Sequence, residues 1–163
     1  MTRFLHLAER AAALPVLLAA LTLFAMMAMT FADVVLRSAF NAPIEAATEL
    51  TRIMMAVIVF SVLPVVSAKG GHIAVDLTDS VFRGMAAQVR DIVLALVCGT
   101  MLWWPGMRVI DLAERARSYG DVTEYLAIPQ FLIGWFIGIA TLITGAALIL
   151  RGIVLTVTGI ARD

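Results

Sequence analysis

The chain has 163 residues, 62% of them hydrophobic and 15% charged, with a formal net charge of +0. Soluble domains usually carry about 25% charged residues, and here the charges gather in short clusters between charge-free apolar runs, the layout of a polytopic membrane protein. Balanced charge leaves no basic patch for nucleic acid, and a lone cysteine, Cys98, excludes an intrachain disulfide, a thiolate metal cluster and a relay through paired cysteines.

The first apolar run, Ala11 to Ala32, holds no charge and has the roughly 20 residues that a bilayer of about 30 Å demands. Arg3 and Arg10 precede it as they would in a signal peptide. The run exceeds a signal core of about 7–15 residues, and no A-x-A cleavage site follows, so it is expected to stay as a first helix. Pro15 is tolerable near the start, where the first turn needs no donor.

The second run, Ile53 to Ala68, spans only if its helix begins at Pro43 or Ile44, just after a Phe40-Asn41-Ala42 turn. Glu45, Glu49 and Arg52 then stack on one face, giving helix two an amphipathic, interfacial start. Pro64 is expected to kink its far end. The third run, Ile92 to Met107, carries Trp103 and Trp104 near its end, as an aromatic belt would, and its helix is expected to continue as a charged surface helix through Arg117. The fourth, Tyr125 to Leu150, is charge-free, with Asp121 and Glu124 before it at capping-box spacing. The expected architecture is one all-α membrane domain over residues 1–163, with spans near 11–36, 44–68, 85–108 and 125–151.

Orientation follows from basic residues. The amino terminus, middle loop and carboxyl terminus hold Arg3, Arg10, Lys69, Arg83, Arg90, Arg151 and Arg162, against Arg37, Arg52, Arg108, Arg115 and Arg117 in the other two loops. The small excess favours both termini inside.

The stretch Lys69-Gly-Gly-His-Ile-Ala-Val-Asp76 looks like a site at first sight. A metal centre needs three or four converging ligands, and the chain has His6 and His72 alone, both outside the apolar runs. Gly70 and Gly71 lack a P-loop context and serve more simply to stop helix two in left-handed backbone angles. Glu45, Glu49 and Arg52 at the start of helix two, and Asp33 with Arg37 at the end of helix one, suit interfacial pairing, since charges at membrane depth are costly. Gly134, Gly138 and Gly145 share one face of helix four, which predicts close approach of another helix. No nucleophile–base constellation, paired acids or cofactor loop is present, so neither catalysis nor a bound cofactor is expected.

An ordered set of motifs extends this reading. Asp33-Val-Val-Leu-Arg37, Phe40-Asn41-Ala42-Pro43, Glu45 and Glu49-Leu-Thr-Arg52 come first. Gly70-Gly-His72-Ile-Ala-Val-Asp76 follows, then Gly120-Asp-Val-Thr123 and Ile128-Pro129. Together they resemble the small membrane subunit (DctQ-like) of tripartite ATP-independent periplasmic (TRAP) transporters. Two features depart from that pattern: relatives often carry a second proline and a glycine further along the last helix, and adjacent acids where Glu45 and Glu49 stand four apart. The resemblance implies a bacterial inner-membrane importer of organic acids, in which a periplasmic binding protein delivers substrate to a large membrane subunit driven by an ion gradient, usually sodium. It implies that this chain is a non-catalytic scaffold whose partners are the large subunit, the binding protein and membrane lipid. His72 and Asp76 would then fix a cytoplasmic turn or touch the large subunit, and the loops around Asn41 and Asp121 would face the periplasm. The competing expectation is a small homo-oligomeric transporter with Glu45 or Glu49 as coupling carboxylate.

Overall fold

The computed structural model describes residues 2–69 and 85–160, with side chains over 13–68 and 89–157. Gly70, Gly71, His72 and Asp76 therefore lie outside the described residues. Among the described residues the chain forms four α-helices: α1 (Thr2–Phe40), α2 (Ala47–Lys69), α3 (Met85–Tyr119) and α4 (Gln130–Ile160). Each contains a stretch long and apolar enough to cross a bilayer. The expected all-α membrane fold is the observed one.

The ends of the helices follow local chemistry. α1 starts at Thr2, ahead of the apolar run, and carries Pro15 inside it. It stops where Asn41 turns left-handed (φ 52°), one of the few residue types that accept such angles besides glycine. α2 starts at Ala47, later than the Pro43 or Ile44 expected from sequence. The amides mark the start. Ile44 N–H is taken by the Asp33 carboxylate, Ala47 N–H closes a turn onto Ile44 O, and the first helical bond runs from Leu50 N–H to Ala46 O. Glu45 thus sits in a turn, and the charged stripe of α2 shrinks to Glu49 and Arg52.

α3 runs through its charged end to Tyr119, as expected, and closes in a Schellman motif. Gly120 is left-handed (φ 70°), with Gly120 N–H bonded to Arg117 O and Asp121 N–H to Ala116 O. Asp121 does not cap α4. The last helix begins nine residues after Asp121, at Gln130, once Pro129 has been passed. Between them the backbone folds back on itself, with Thr123 N–H bonded to Ile128 O and Gln130 N–H to Asp121 O.

Among the described residues the helices do not close into a bundle. α3 packs along α4, α2 packs on another face of α4, and α1 packs on α2. Space between α3 and α4 is set by small residues at sevenfold spacing: Gly99, Gly106 and Ala113 on α3, and Gly138, Gly145 and Gly152 on α4. Gly134 lies against Ala113, Gly138 against Ile110 and the Gly106 carbonyl, Gly145 against the Gly99 carbonyl, and Gly152 against Leu96. The two helices are therefore antiparallel, and a Cβ on Gly99 would stand 2.9 Å from the Gly145 carbonyl oxygen. Sevenfold spacing is the period of a left-handed coil.

Lipid offers no hydrophobic drive for helices to associate, so close backbone approach must supply the attraction. The buried hydrophobic residues are accordingly small (Ala19, Ala95, Ala113, Ala140), with Leu148 the large exception. Three buried hydroxyls are satisfied within their own helices: Thr141 and Thr144 donate to the carbonyls of Ile137 and Ala140, and Ser67 to that of Leu63. These groups thus make little demand on the hydrocarbon around them.

The seam predicts that Gly99→Ala costs about 1–3 kcal/mol through overpacking against backbone. Thermal unfolding in mild detergent should show a lowered midpoint, while Leu150→Ala, on a surface 62% exposed, should leave it unchanged.

Candidate functional site

One cluster of charged residues lies at the end of the molecule where α1 and α3 finish and α2 and α4 begin. Asp33, on the last turns of α1, is buried (8% exposed). One carboxylate oxygen receives the Arg37 guanidinium at 2.9 Å, and the other accepts Ile44 N–H at 2.8 Å. Expected as a simple interfacial pair, Asp33 and Arg37 do more. The carboxylate reaches eleven residues along the chain and pins the α1–α2 connection, with Asn41 and Pro43 inside the loop so closed.

Glu49 does the same for the second connection. Its Oε2 accepts the N–H of Leu126 at 2.9 Å, across 77 residues of chain. Leu126 sits at the tip of the folded-back α3–α4 connection, beside Ala127, whose φ of 51° is unusual for a residue with a Cβ. Such a conformation costs about 1–2 kcal/mol and persists where neighbours hold it. Here the Ile128 N–H bond to Thr123 Oγ1 on one side and the Glu49 bond on the other do so. Glu49 is thus not ion-paired with Arg52 among the described residues; it ties α2 to the tip of the α3–α4 connection.

Beneath this tie lies a cleft of about 530 Å³ between α2, the connection and the start of α4. Its outer part carries Glu49, Arg52 and Glu124, and its deeper part Ile53, Ala56, Ile133 and Ile137. Among the described residues, no carboxylate lies within ion-pair distance of Arg52. Glu45, in the turn before α2, does not line the cleft. A second, apolar groove of about 540 Å³ lies between α1, α2 and α4. The Ser61 hydroxyl on its wall is buried, with no hydrogen-bond partner among the described residues.

Among the described residues, no group of three or more His, Cys, Asp or Glu is placed to hold a metal ion. Gly134 and Gly138 lie on the α3 seam, away from the charged cluster, although Gly134 also borders the cleft. The seam partners Gly99, Gly106, Ala113 and Gly152 were missed from sequence, and their sevenfold spacing was the signal that could have found them. Nothing in the sequence pointed to Leu126 as the partner of Glu49.

The family model for the DctQ component of tripartite ATP-independent periplasmic transporters matches residues 26–162. The chain belongs to this family. The matched segment takes in Asp33, Glu49, Arg52 and every glycine of the seam, so the clamps and the α3–α4 packing all lie within the DctQ region. The comparisons with curated proteins and with solved structures returned no match. This DctQ component is a multi-pass membrane protein of a transport system, with four candidate spans.

The Glu49 tie makes a specific expectation. Glu49→Ala removes the acceptor for the Leu126 amide, at about 1 kcal/mol because the bond is exposed to solvent. Hydrogen exchange at that amide should accelerate in Glu49→Ala and stay slow in Glu49→Gln, which keeps an acceptor oxygen.

Proposed function

We propose that this chain is a non-catalytic scaffold: the small subunit that holds and anchors the large membrane subunit of a TRAP importer. In this reading the large subunit moves an organic acid delivered by a periplasmic binding protein, driven by an ion gradient. The protein resides in the bacterial inner membrane with both termini cytoplasmic. The ends bearing Asn41 and Asp121 then face the periplasm, where the binding protein docks.

The observation that carries the proposal is the openness of the helix array. Among the described residues α1 and α3 each pack on a single neighbour, and in the most apolar window of α1 only 6% of residues are buried, against 33% in α4. Large side chains such as Phe24, Met27 and Phe31 on α1, and Met101 and Trp104 on α3, stand exposed. Faces of this size fit lipid and the helices of a larger protein. The carboxylates support the same view. Asp33 and Glu49 accept backbone amides in connections, the work of braces; a coupling group must bind and release an ion. The charges at the described helix ends leave no ionisable side chain midway along α1 or α4, where a transporter would need one.

Affinity purification of the tagged chain from its native membrane in mild detergent, followed by mass spectrometry, tests the scaffold. A much larger polytopic protein at near-equal amount is expected, and uptake should require both membrane proteins. Recovery of this chain alone, together with uptake by it that Glu45→Gln or Glu49→Gln abolishes, would establish the small-transporter alternative instead.

A further inference from the structure

The cleft under the Glu49 tie combines two chemistries. Its outer part presents one guanidinium, Arg52, and two carboxylates, Glu49 and Glu124. Its deeper part is walled by Ile53 and Ala56 of α2 and by Ile133 and Ile137 of α4. α2 and α4 run in the same direction there, since the start of each borders the same cleft, so the polarity changes from charged to apolar along both walls together. The bilayer-compatible stretch of α2 begins at Ala47, beside the charged part. The polar opening of the cleft therefore sits at the level where lipid headgroups lie.

The charges select among ligands. Arg52 has no carboxylate within ion-pair distance among the described residues, and a free guanidinium at a membrane surface is suited to a phosphate. One oxygen of Glu49 already accepts the Leu126 amide, which leaves the rest of that carboxylate and the whole of Glu124 to receive a cation. An anionic headgroup would meet the cation but also face two acids. A headgroup that carries phosphate and ammonium together matches all three side chains, and a primary ammonium can donate hydrogen bonds to both carboxylates where a methylated one cannot.

We propose that this cleft is a phospholipid site for an ethanolamine headgroup. The phosphate lies on Arg52, the ammonium lies between Glu124 and the remaining capacity of Glu49, and an acyl chain runs down the wall of Ile53, Ala56, Ile133 and Ile137. The bound lipid fills the gap between α2 and α4 that the small-residue seam leaves on the side away from α3. This site does not rest on the scaffold reading and holds whether or not a large subunit is present.

Native mass spectrometry of the full chain in mild detergent, with phosphatidylethanolamine, phosphatidylcholine or phosphatidylglycerol added at matched amounts, reads the site. The expected order is retention of the ethanolamine lipid above both others. Arg52→Gln should lower its retention about fivefold, the scale of one basic side chain at a lipid surface, with recovery in Arg52→Lys. Glu124→Gln should reduce the preference for ethanolamine over the glycerol headgroup while leaving phosphate-dependent retention in place. Arg108→Gln, a basic residue outside the cleft, should change nothing. Equal retention of the three lipids, or a loss in Arg108→Gln equal to that in Arg52→Gln, overturns the proposal. A photoreactive residue in place of Ala56 identifies the occupant in the membrane: a phospholipid adduct supports the site. Adducts confined to another membrane protein or to a second copy of the chain assign the cleft to that protein and overturn it.

Discussion

The structure depends on the close approach of α3 and α4. Gly99 and Gly145 face each other so nearly that each would place a Cβ at about the contact limit of the other's carbonyl oxygen, at 2.9 and 3.0 Å. In water such a seam would be a minor part of a core held by burial of large side chains. In hydrocarbon that term is missing, and intimate backbone contact takes its place. The consequence is a strict preference for small side chains at these positions. It also fixes α4 as the central helix, because α2 can then use another of its faces while α3 occupies the first.

The remaining organisation is set by two carboxylates. Asp33 and Glu49 each accept the N–H of a residue in a connection: Ile44 after α1 and Leu126 after α3. Connections at a membrane surface contain amides that helices do not use, and each unsatisfied amide costs energy wherever water is scarce. Supplying a charged acceptor from a neighbouring helix satisfies the amide and fixes the loop relative to that helix in one step. The two braces lie at the same end of the molecule, so that end is ordered by polar contacts while the middle is ordered by packing. Ala127 shows how firmly it is ordered, since it holds a left-handed angle without being glycine.

What the fold leaves undone is as informative as what it completes. Among the described residues α1 packs on α2 alone and α3 on α4 alone, which leaves long apolar faces to be covered by the surroundings. Rigid internal braces at one end, together with open apolar sides, suit a part that joins other parts. An ion-coupled carrier needs groups that change partner during a cycle; here Asp33 and one oxygen of Glu49 already hold backbone amides of the connections.

The sequence by itself determined the membrane setting, the number of spans and the family. Each depends on something local or additive: runs of apolar residues, and ordered short motifs such as Asp33 to Arg37 and Gly120 to Thr123. The glycine face of α4 was likewise legible from spacing, because residues on one helical face are fixed by the period of the helix. Only the tertiary structure decided what these features touch. That α3 meets the glycines of α4, that α2 begins at Ala47 after a turn whose Ile44 amide is held by Asp33, and that Glu49 finds Leu126 rather than Arg52 are all outcomes of packing. The Glu49 bond spans 77 residues, and no pattern within either segment announces it. It exists because the seam places the tip of the α3–α4 connection over the start of α2, and a carboxylate bonds whatever unsatisfied donor geometry brings within reach.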